Sequence, residues 1–282
     1  MYVCLNGAIL AADEAKIKVT NRAFRYGDGL FETIRMFDGR AIFFDLHWQR
    51  LQDGMTQLGF DSPPNFREQL TEGISKLTEN QGNYRIRIQV WRADGGLYRP
   101  SDHQPQFLIE TSPLDSSVFQ IPELGLKLDI HEGLHPPSGQ LAGLKTTAAL
   151  PYILAANYAH NRGLDDLLLT NPDGSIADGS RGNIFIVLNN GNIATPLDFK
   201  CGIHGTMRRL VLLFCQENDI VIVPKITSYE IHLAGVEAFL TNAISGVLPI
   251  ESIGNTRFWQ NSTTLLLVDW LNKQRANALL AR

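Results

Sequence analysis

Residues 31–58 read FETIRMFDGRAIFFDLHWQRLQDGMTQL. Two strand-forming runs, Phe31–Phe37 and Ala41–Phe44, flank Asp38-Gly39, a pair that favours a two-residue hairpin turn. The pattern then changes period. Trp48, Leu51, Met55 and Leu58 recur at helical spacing, and Asp45 stands where an N-cap belongs. A hairpin followed directly by a helix, with no parallel partner strand in between, points to an α+β arrangement and away from a regular βαβ repeat.

The N-terminal MYVCLNGAIL reads as a strand and turn, and Tyr84–Arg92 alternates, with Ile86, Ile88 and Val90 on one side and Arg85, Arg87 and Gln89 on the other. Residues 1–113 are expected to form a smaller N-terminal domain. A stretch rich in Ser, Pro and Asp, residues 114–122, is expected to be the linker. Residues 123–282 are expected to form a larger domain. Its strands are predicted at Leu126–His131, Asp166–Thr170, Asn183–Leu188, Ile220–Val223 and Glu237–Thr241. Its helices are predicted at Pro151–Arg162, Thr206–Glu217 and Ser262–Ala281. The expected fold is two α+β domains.

The bulk properties remove several function classes. Across 282 residues the formal net charge is −4, and no run of Lys and Arg offers a footprint for nucleic acid. No apolar run reaches the roughly 18 residues of a membrane span, and the N-terminus lacks the basic and apolar regions of a signal peptide, so a cytoplasmic protein is expected. Cys4, Cys201 and Cys215 lack CxxC spacing, so neither a disulfide framework nor a metal site is expected. His131 and His135 are four apart, but Gly133 and Pro136-Pro137 interrupt any helix that would pair them on a metal. The motifs GxSxG, HExxH and the phosphate-binding Walker loop do not occur.

Several residues have the chemistry of a site, each with an ordinary structural alternative. Lys145, in Gly-Leu-Lys-Thr-Thr, sits among Leu141, Leu144 and Ala148–Leu150. A lysine wedged there would lose hydration and hold its proton less tightly, as a Schiff-base lysine must. The alternative is a loop lysine reaching water. Asp178, before a β-branched strand, suits a partner for a protonated pyridine nitrogen, or a turn carboxylate held by its own loop. Gly205-Thr206-Met207-Arg208 opens an amphipathic helix whose first amides suit a phosphate, or simply an N-cap. The stretch from Thr241 through Asn242 and Ala243 offers a second set of amides. Arg50 suits a phosphate contact or a surface ion pair. Arg85 and Arg87 suit a substrate carboxylate or a solvated strand face.

Taken in order, these residues form blocks. They are Asn21–Arg35, His47-Trp48-Gln49-Arg50-Leu51, Gly143-Leu144-Lys145, Asp178-Gly179-Ser180 with Asn183-Ile184-Phe185, Gly205–Arg208 and Thr241-Asn242-Ala243. Across nearly the whole chain they resemble the fold-type IV enzymes that use pyridoxal 5′-phosphate (PLP), the class-IV aminotransferase family, with a fold like D-amino acid aminotransferase. The resemblance implies that Lys145 holds PLP as a Schiff base and shuttles a proton between the substrate Cα and cofactor C4′. It implies that Arg50, Thr206, Met207, Asn242 and Ala243 hold the phosphate and that Asp178, where the family usually has Glu, faces the ring nitrogen. It further implies that Phe31, Arg87 and Arg25 meet the substrate, Arg25 from the partner subunit of a homodimer.

Within the family the signals divide. Thr33 and Leu150 differ from typical branched-chain aminotransferases. Thr33, Asn242 and the block His47–Asp53 resemble aminodeoxychorismate lyases, whereas Glu32 resembles aminotransferases. The leading expectation is an aminotransferase acting on an amino acid and a 2-keto acid. The alternative is a lyase releasing pyruvate and 4-aminobenzoate, with the Thr33 hydroxyl, a second catalytic group beside Lys145, protonating the leaving group. A catalytically inactive PLP-fold binding protein is the third reading, resting on Asp178.

Overall fold

The computed structural model describes residues 1–197, 202–259 and 261–280. Cys201 and the last residue of the predicted C-terminal helix, Ala281, lie outside the described residues. The chain divides into two units. Unit 1 comprises Met1–Val118, Leu144–Ala148 and the chain end from Ala278; unit 2 comprises Phe119–Gly143 and Ala149–Asn277. Lys145, in the sequence range 123–282, thus groups with unit 1.

Unit 1 contains β1 (Tyr2–Leu5), β2 (Ala8–Ala11), α1 (Arg22–Tyr26), β3 (Gly29–Phe37), β4 (Arg40–Ala41), α2 (Phe44–Gln57), α3 (Phe66–Thr78), β5 (Tyr84–Arg92) and β6 (Pro105–Pro113). Among the described residues its strands form a six-stranded sheet in the order β2-β1-β6-β5-β3-β4. Asp38 and Gly39 both have positive φ, 45° and 79°, as the mirror-image hairpin turn requires. The strand after that turn is shorter than the sequence suggests, because the chain leaves the sheet after Ala41. It reverses at Phe43, which takes a left-handed conformation and becomes the N-cap of α2. The expected cap, Asp45, therefore lies inside the first turn, where it pairs with Arg67. Alternation along β3 and β5 sends Leu30, Ile34, Ile86, Ile88 and Val90 into a core completed by Leu51 and Met55 of α2 and Leu70 and Ile74 of α3.

Unit 2 contains β7 (Leu126–His131), α4 (Leu150–Asn161), β8 (Asp166–Thr170), β9 (Ile176–Gly179), β10 (Asn183–Leu188), β11 (Ile193–Ala194), α5 (Thr206–Glu217), β12 (Ile222–Val223), α6 (Ser228–Ala234), β13 (Gly235–Asn242), β14 (Gly246–Ile253), β15 (Thr256–Arg257) and α7 (Ser262–Leu280). Its described strands form one sheet in the order β12-β11-β10-β13-β14-β7-β8-β9, with β15 on β14. The run Leu167-Leu168-Leu169 is buried throughout because β8 is covered on both faces. Leu167 and Leu169 pack against Ala155 and Ala159 of α4. Leu168 packs against Leu128 and Ile176 on the other side. Glu237, 1% exposed, sits under the start of α7, where its carboxylate accepts the amides of Thr263 (3.1 Å) and Thr264 (2.5 Å).

Candidate active site

In unit 1 the placement of Lys145 begins with backbone bonds. The amide of Phe31 donates to the carbonyl of Lys145 (2.9 Å), and the amide of Thr147 donates to the carbonyl of Gly29 (2.9 Å). Leu30 and Thr146 form an antiparallel bridge, and the Thr147 hydroxyl donates to the carbonyl of Gly27 at 2.8 Å. The lysine segment is thus tied to the start of β3 by one isolated bridge and the flanking backbone bonds. Leu144 is buried in the unit 1 core and anchors the segment from the other side.

The apolar wedge expected around Lys145 is only partly there. Leu141 and Leu150 are exposed, because the first ends a short turn and the second begins α4. What faces the ammonium instead is an aromatic ring: Nζ lies 4.3 Å from the centroid of Phe31. The guanidinium of Arg87 lies 4.2 Å from the same centroid, so Phe31 serves two cations. Arg87 is half-buried and donates to Gln89 Oε1 at 3.3 Å. Thr33 is the register partner of Arg87 and lies on the same sheet face as Phe31. Arg85, by contrast, is exposed. Arg25 is exposed in the last turn of α1, with Nε donating to the carbonyl of Val19 at 3.3 Å.

The opposite face of β3 holds a group that the motif reading did not treat as a site. Glu32 lies between Leu30 and Ile34 on the core side, 1% exposed. Its Oε1 accepts Nε of Arg50 at 2.7 Å, and its Oε2 accepts Nη2 of Arg50 at 2.5 Å and pairs with Nδ1 of His47 at 2.6 Å. Burial pushes the Glu32 carboxyl up, but the charges and hydrogen bonds of Arg50 and His47 outweigh burial and hold it at about 2. Burial pulls His47 below its ordinary value more strongly than Glu32 raises it, with Arg50 and Lys145 adding to the fall. The imidazole is therefore neutral near pH 7, and its Nδ1–H donates to an ionised Glu32. Arg50 is not the lone surface residue its helix position allowed, since a buried carboxylate grips it at two points. The signal for Glu32 was present in the alternation, as a carboxylate at a position where the period demands an apolar residue.

In unit 2, Asp178 is 2% exposed at the end of β9. Its Oδ1 accepts the amide of Gly179 (3.1 Å) and Nδ2 of Asn183 (3.1 Å), and its Oδ2 accepts the amide of Ile203 (3.1 Å). Asn183 also donates to the carbonyl of Ile203 at 2.8 Å, so two side chains fix the residues leading into α5. That helix has Gly205 as its N-cap, and no cap side chain satisfies its first amides. Thr206 and Met207 are buried in its first turn.

Thr241 is the register partner of Asn183, and its buried hydroxyl has no hydrogen-bond partner. Beside it, Asn242 Oδ1 accepts the amides of Ile244 (3.0 Å) and Ser245 (2.8 Å), which shapes the turn that contains Ala243. A second carboxylate absent from the motif reading, Asp166, accepts the amide of Ser180 (3.1 Å) and its hydroxyl, fixing the turn after Asp178. Among the described residues no cluster of three or more His, Cys, Asp or Glu side chains is arranged for a metal ion. Cys4 and Cys215 are buried and free, and burial pushes the Cys215 thiol up to about 11.

Comparison with known proteins gives this geometry a family. The profile of the family described as amino-transferase class IV matches residues 29–253. The D-alanine aminotransferase of Bacillus licheniformis is 25% identical over 263 residues, covering 90% of this chain and 88% of that protein. The aminodeoxychorismate lyase of Bacillus subtilis is 24% identical over 270 residues, covering 92% and 89%. The fold matches the branched-chain aminotransferase of Thermoproteus uzoniensis, solved with norvaline, with a TM-score of 0.86 and 24% identity, over 99% of this chain and 95% of that one. The resemblance read from the sequence blocks is borne out, as is the fold it implied. The chain belongs to the class IV aminotransferase family.

Proposed function

We propose that this protein is a PLP-dependent aminotransferase exchanging an amino group between an amino acid and a 2-keto acid, with Lys145 as its catalytic amine. The observation that carries the reading is the setting of Lys145. Its backbone is locked to β3 and its Nζ lies over Phe31, within the family match at residues 29–253. When bound, PLP supplies an electron sink for the pair left at the substrate Cα. In this reading Lys145 would hold the cofactor, and its amine would carry the proton from the substrate Cα to the cofactor's C4′. Arg87, beside Phe31, meets the substrate carboxylate, and Arg25 reaches the site of a partner subunit. Asp178 would pair with the ring nitrogen and keep it protonated. Arg50, the amides of Thr206 and Met207, and those near Asn242 and Ala243 hold the phosphate.

The residues present suit such a group. Gly205 leaves the first turn of α5 without a side-chain cap, the Thr241 hydroxyl is buried without a partner, and Arg50 is oriented by Glu32. Assigning residues of both units to one cofactor rests on the order of motifs shared with the family. Homodimerisation is part of the proposal. It is supported by an exposed apolar stripe on α4, Leu150, Ile153, Leu154 and Tyr158. No described helix is long and apolar enough to cross a membrane, and the free Cys4 and Cys215 support a cytoplasmic setting.

A second reading, aminodeoxychorismate lyase, is favoured by one observation: the Thr33 hydroxyl lies on the face that carries Phe31 and Arg87. Absorbance spectra with PLP test the common ground. A near-visible band that borohydride removes and Lys145→Ala lacks is expected, and the absence of any band leaves the inactive binding protein. Amino acids alone then separate the reactions. Release of a keto acid marks the aminotransferase. Failure with a broad panel of L- and D-amino acids, with 4-aminobenzoate formed from aminodeoxychorismate, marks the lyase.

A further inference from the structure

Arg50 lies on α2 with a long side chain that, unrestrained, samples many rotamers. Here it has one orientation. Glu32 grips it through Nε and Nη2, and His47, one turn earlier on the same helix, holds Oε2, the carboxylate oxygen that also accepts Nη2. All three groups are at most 11% exposed. A carboxylate on the core face of a strand is costly to bury unless its partners are fixed, so the arrangement orients the guanidinium in a way that a surface ion pair does not. We propose that Glu32 and His47 are positioning residues that set Arg50 for the phosphate of a phosphorylated ligand, so that the phosphate is held by a three-residue chain and not by one arginine. This rests on the reading of Arg50 as a phosphate contact.

Geometry and charge predict opposite outcomes. Glu32 neutralises Arg50, so if charge alone mattered, removing Glu32 would tighten the binding of an anion. If position matters, withdrawing the carboxylate loosens it. Glu32→Asp separates the two, because the charge stays while the oxygens retreat by one methylene. Glu32→Gln removes the charge and turns an NH2 group toward Arg50 or the His47 N–H, donor against donor.

The test is the affinity of the apoprotein for PLP and for pyridoxal, which lacks the phosphate, followed by absorbance or tryptophan quenching. In wild type the phosphorylated form binds more tightly. In Glu32→Asp and Glu32→Gln that preference is expected to fall about tenfold while pyridoxal binding is unchanged, and in His47→Asn to fall about threefold. In an Arg50→Ala background none of these changes should alter the preference further. Circular dichroism checks folding, and His47→Asn tests the same chain if the Glu32 variants do not fold. An unchanged preference in Glu32→Asp, a tighter one in Glu32→Gln, or an equal loss of both ligands overturns the inference alone. A wild type with no preference for the phosphorylated form overturns the phosphate reading of Arg50 with it.

Discussion

Acid should unfold the unit 1 core through Glu32. Its carboxyl falls from an ordinary 4.5 to about 2 in the folded chain. At about 1.4 kcal/mol per pH unit, that fall contributes about 3 kcal/mol of pH-dependent stability. The sign follows from the proton count. Between pH 4.5 and 2 the unfolded chain binds a proton that the folded chain refuses, so stability rises with pH. The contribution is complete above pH 4.5, and about 2 kcal/mol of it is gone by pH 3. Glu32→Gln has no such carboxyl. It is expected to be about 3–5 kcal/mol less stable than wild type at pH 7, the usual cost of breaking a buried pair. That gap should narrow on acidification. Urea unfolding at pH 7, 5, 4 and 3 measures it. Trp259→Phe/Trp270→Phe serves as the background, so that Trp48 and Trp91, both in unit 1, report the transition. A gap that stays constant with pH, or widens in acid, would show that ionised Glu32 does not stabilise the unit 1 core.

Further outcomes follow from other contacts. Glu237→Gln keeps one acceptor for the start of α7 but sets an NH2 against the second amide. Unit 2 should lose about 2 kcal/mol in urea unfolding, and an unchanged midpoint would show that α7 needs no cap. Gly39→Ala places a methyl 1.9 Å from the carbonyl oxygen of Asn80 at a φ of +79°. A loss of about 2 kcal/mol or more is expected, whereas Gly59→Ala, at a φ of +71° with nothing within 4 Å, should lose only the strain, about 1 kcal/mol. In a Cys201→Ser variant no native thiol should react with an aromatic disulfide at pH 8, and unfolding should release two. Prompt native reaction would contradict the burial of Cys4 and Cys215.

Much of the fold was legible because periodicity and burial agree. Tyr84–Arg92, Asp166–Thr170, Asn183–Leu188 and Thr206–Glu217 are observed with the bounds the pattern gives. The start of α2 was not legible, since Phe43 takes the cap position through a left-handed conformation that its residue type does not advertise. At the candidate site, residue types in order singled out Lys145, Arg50 and Asp178 as candidates. Their surroundings were less accessible, because they depend on long-range register. Phe31 meets Lys145 only because the segment 145–147 lies against β3. Asp166 fixes Ser180 from a neighbouring strand. Glu32 was readable as an anomaly, but its partners sit 15 and 18 residues away on a helix whose facing side only packing decides.

The bridged segment that carries Lys145 has an evolutionary consequence. Its register is set by β3, through bonds to Gly27, Gly29 and Phe31, and not by the loop that delivers it. Insertions or deletions between His135 and Gln140 would change the length of the approach without moving the lysine by a residue. The length of that loop, and with it whatever the loop touches, can therefore change while the amine stays at one fixed address.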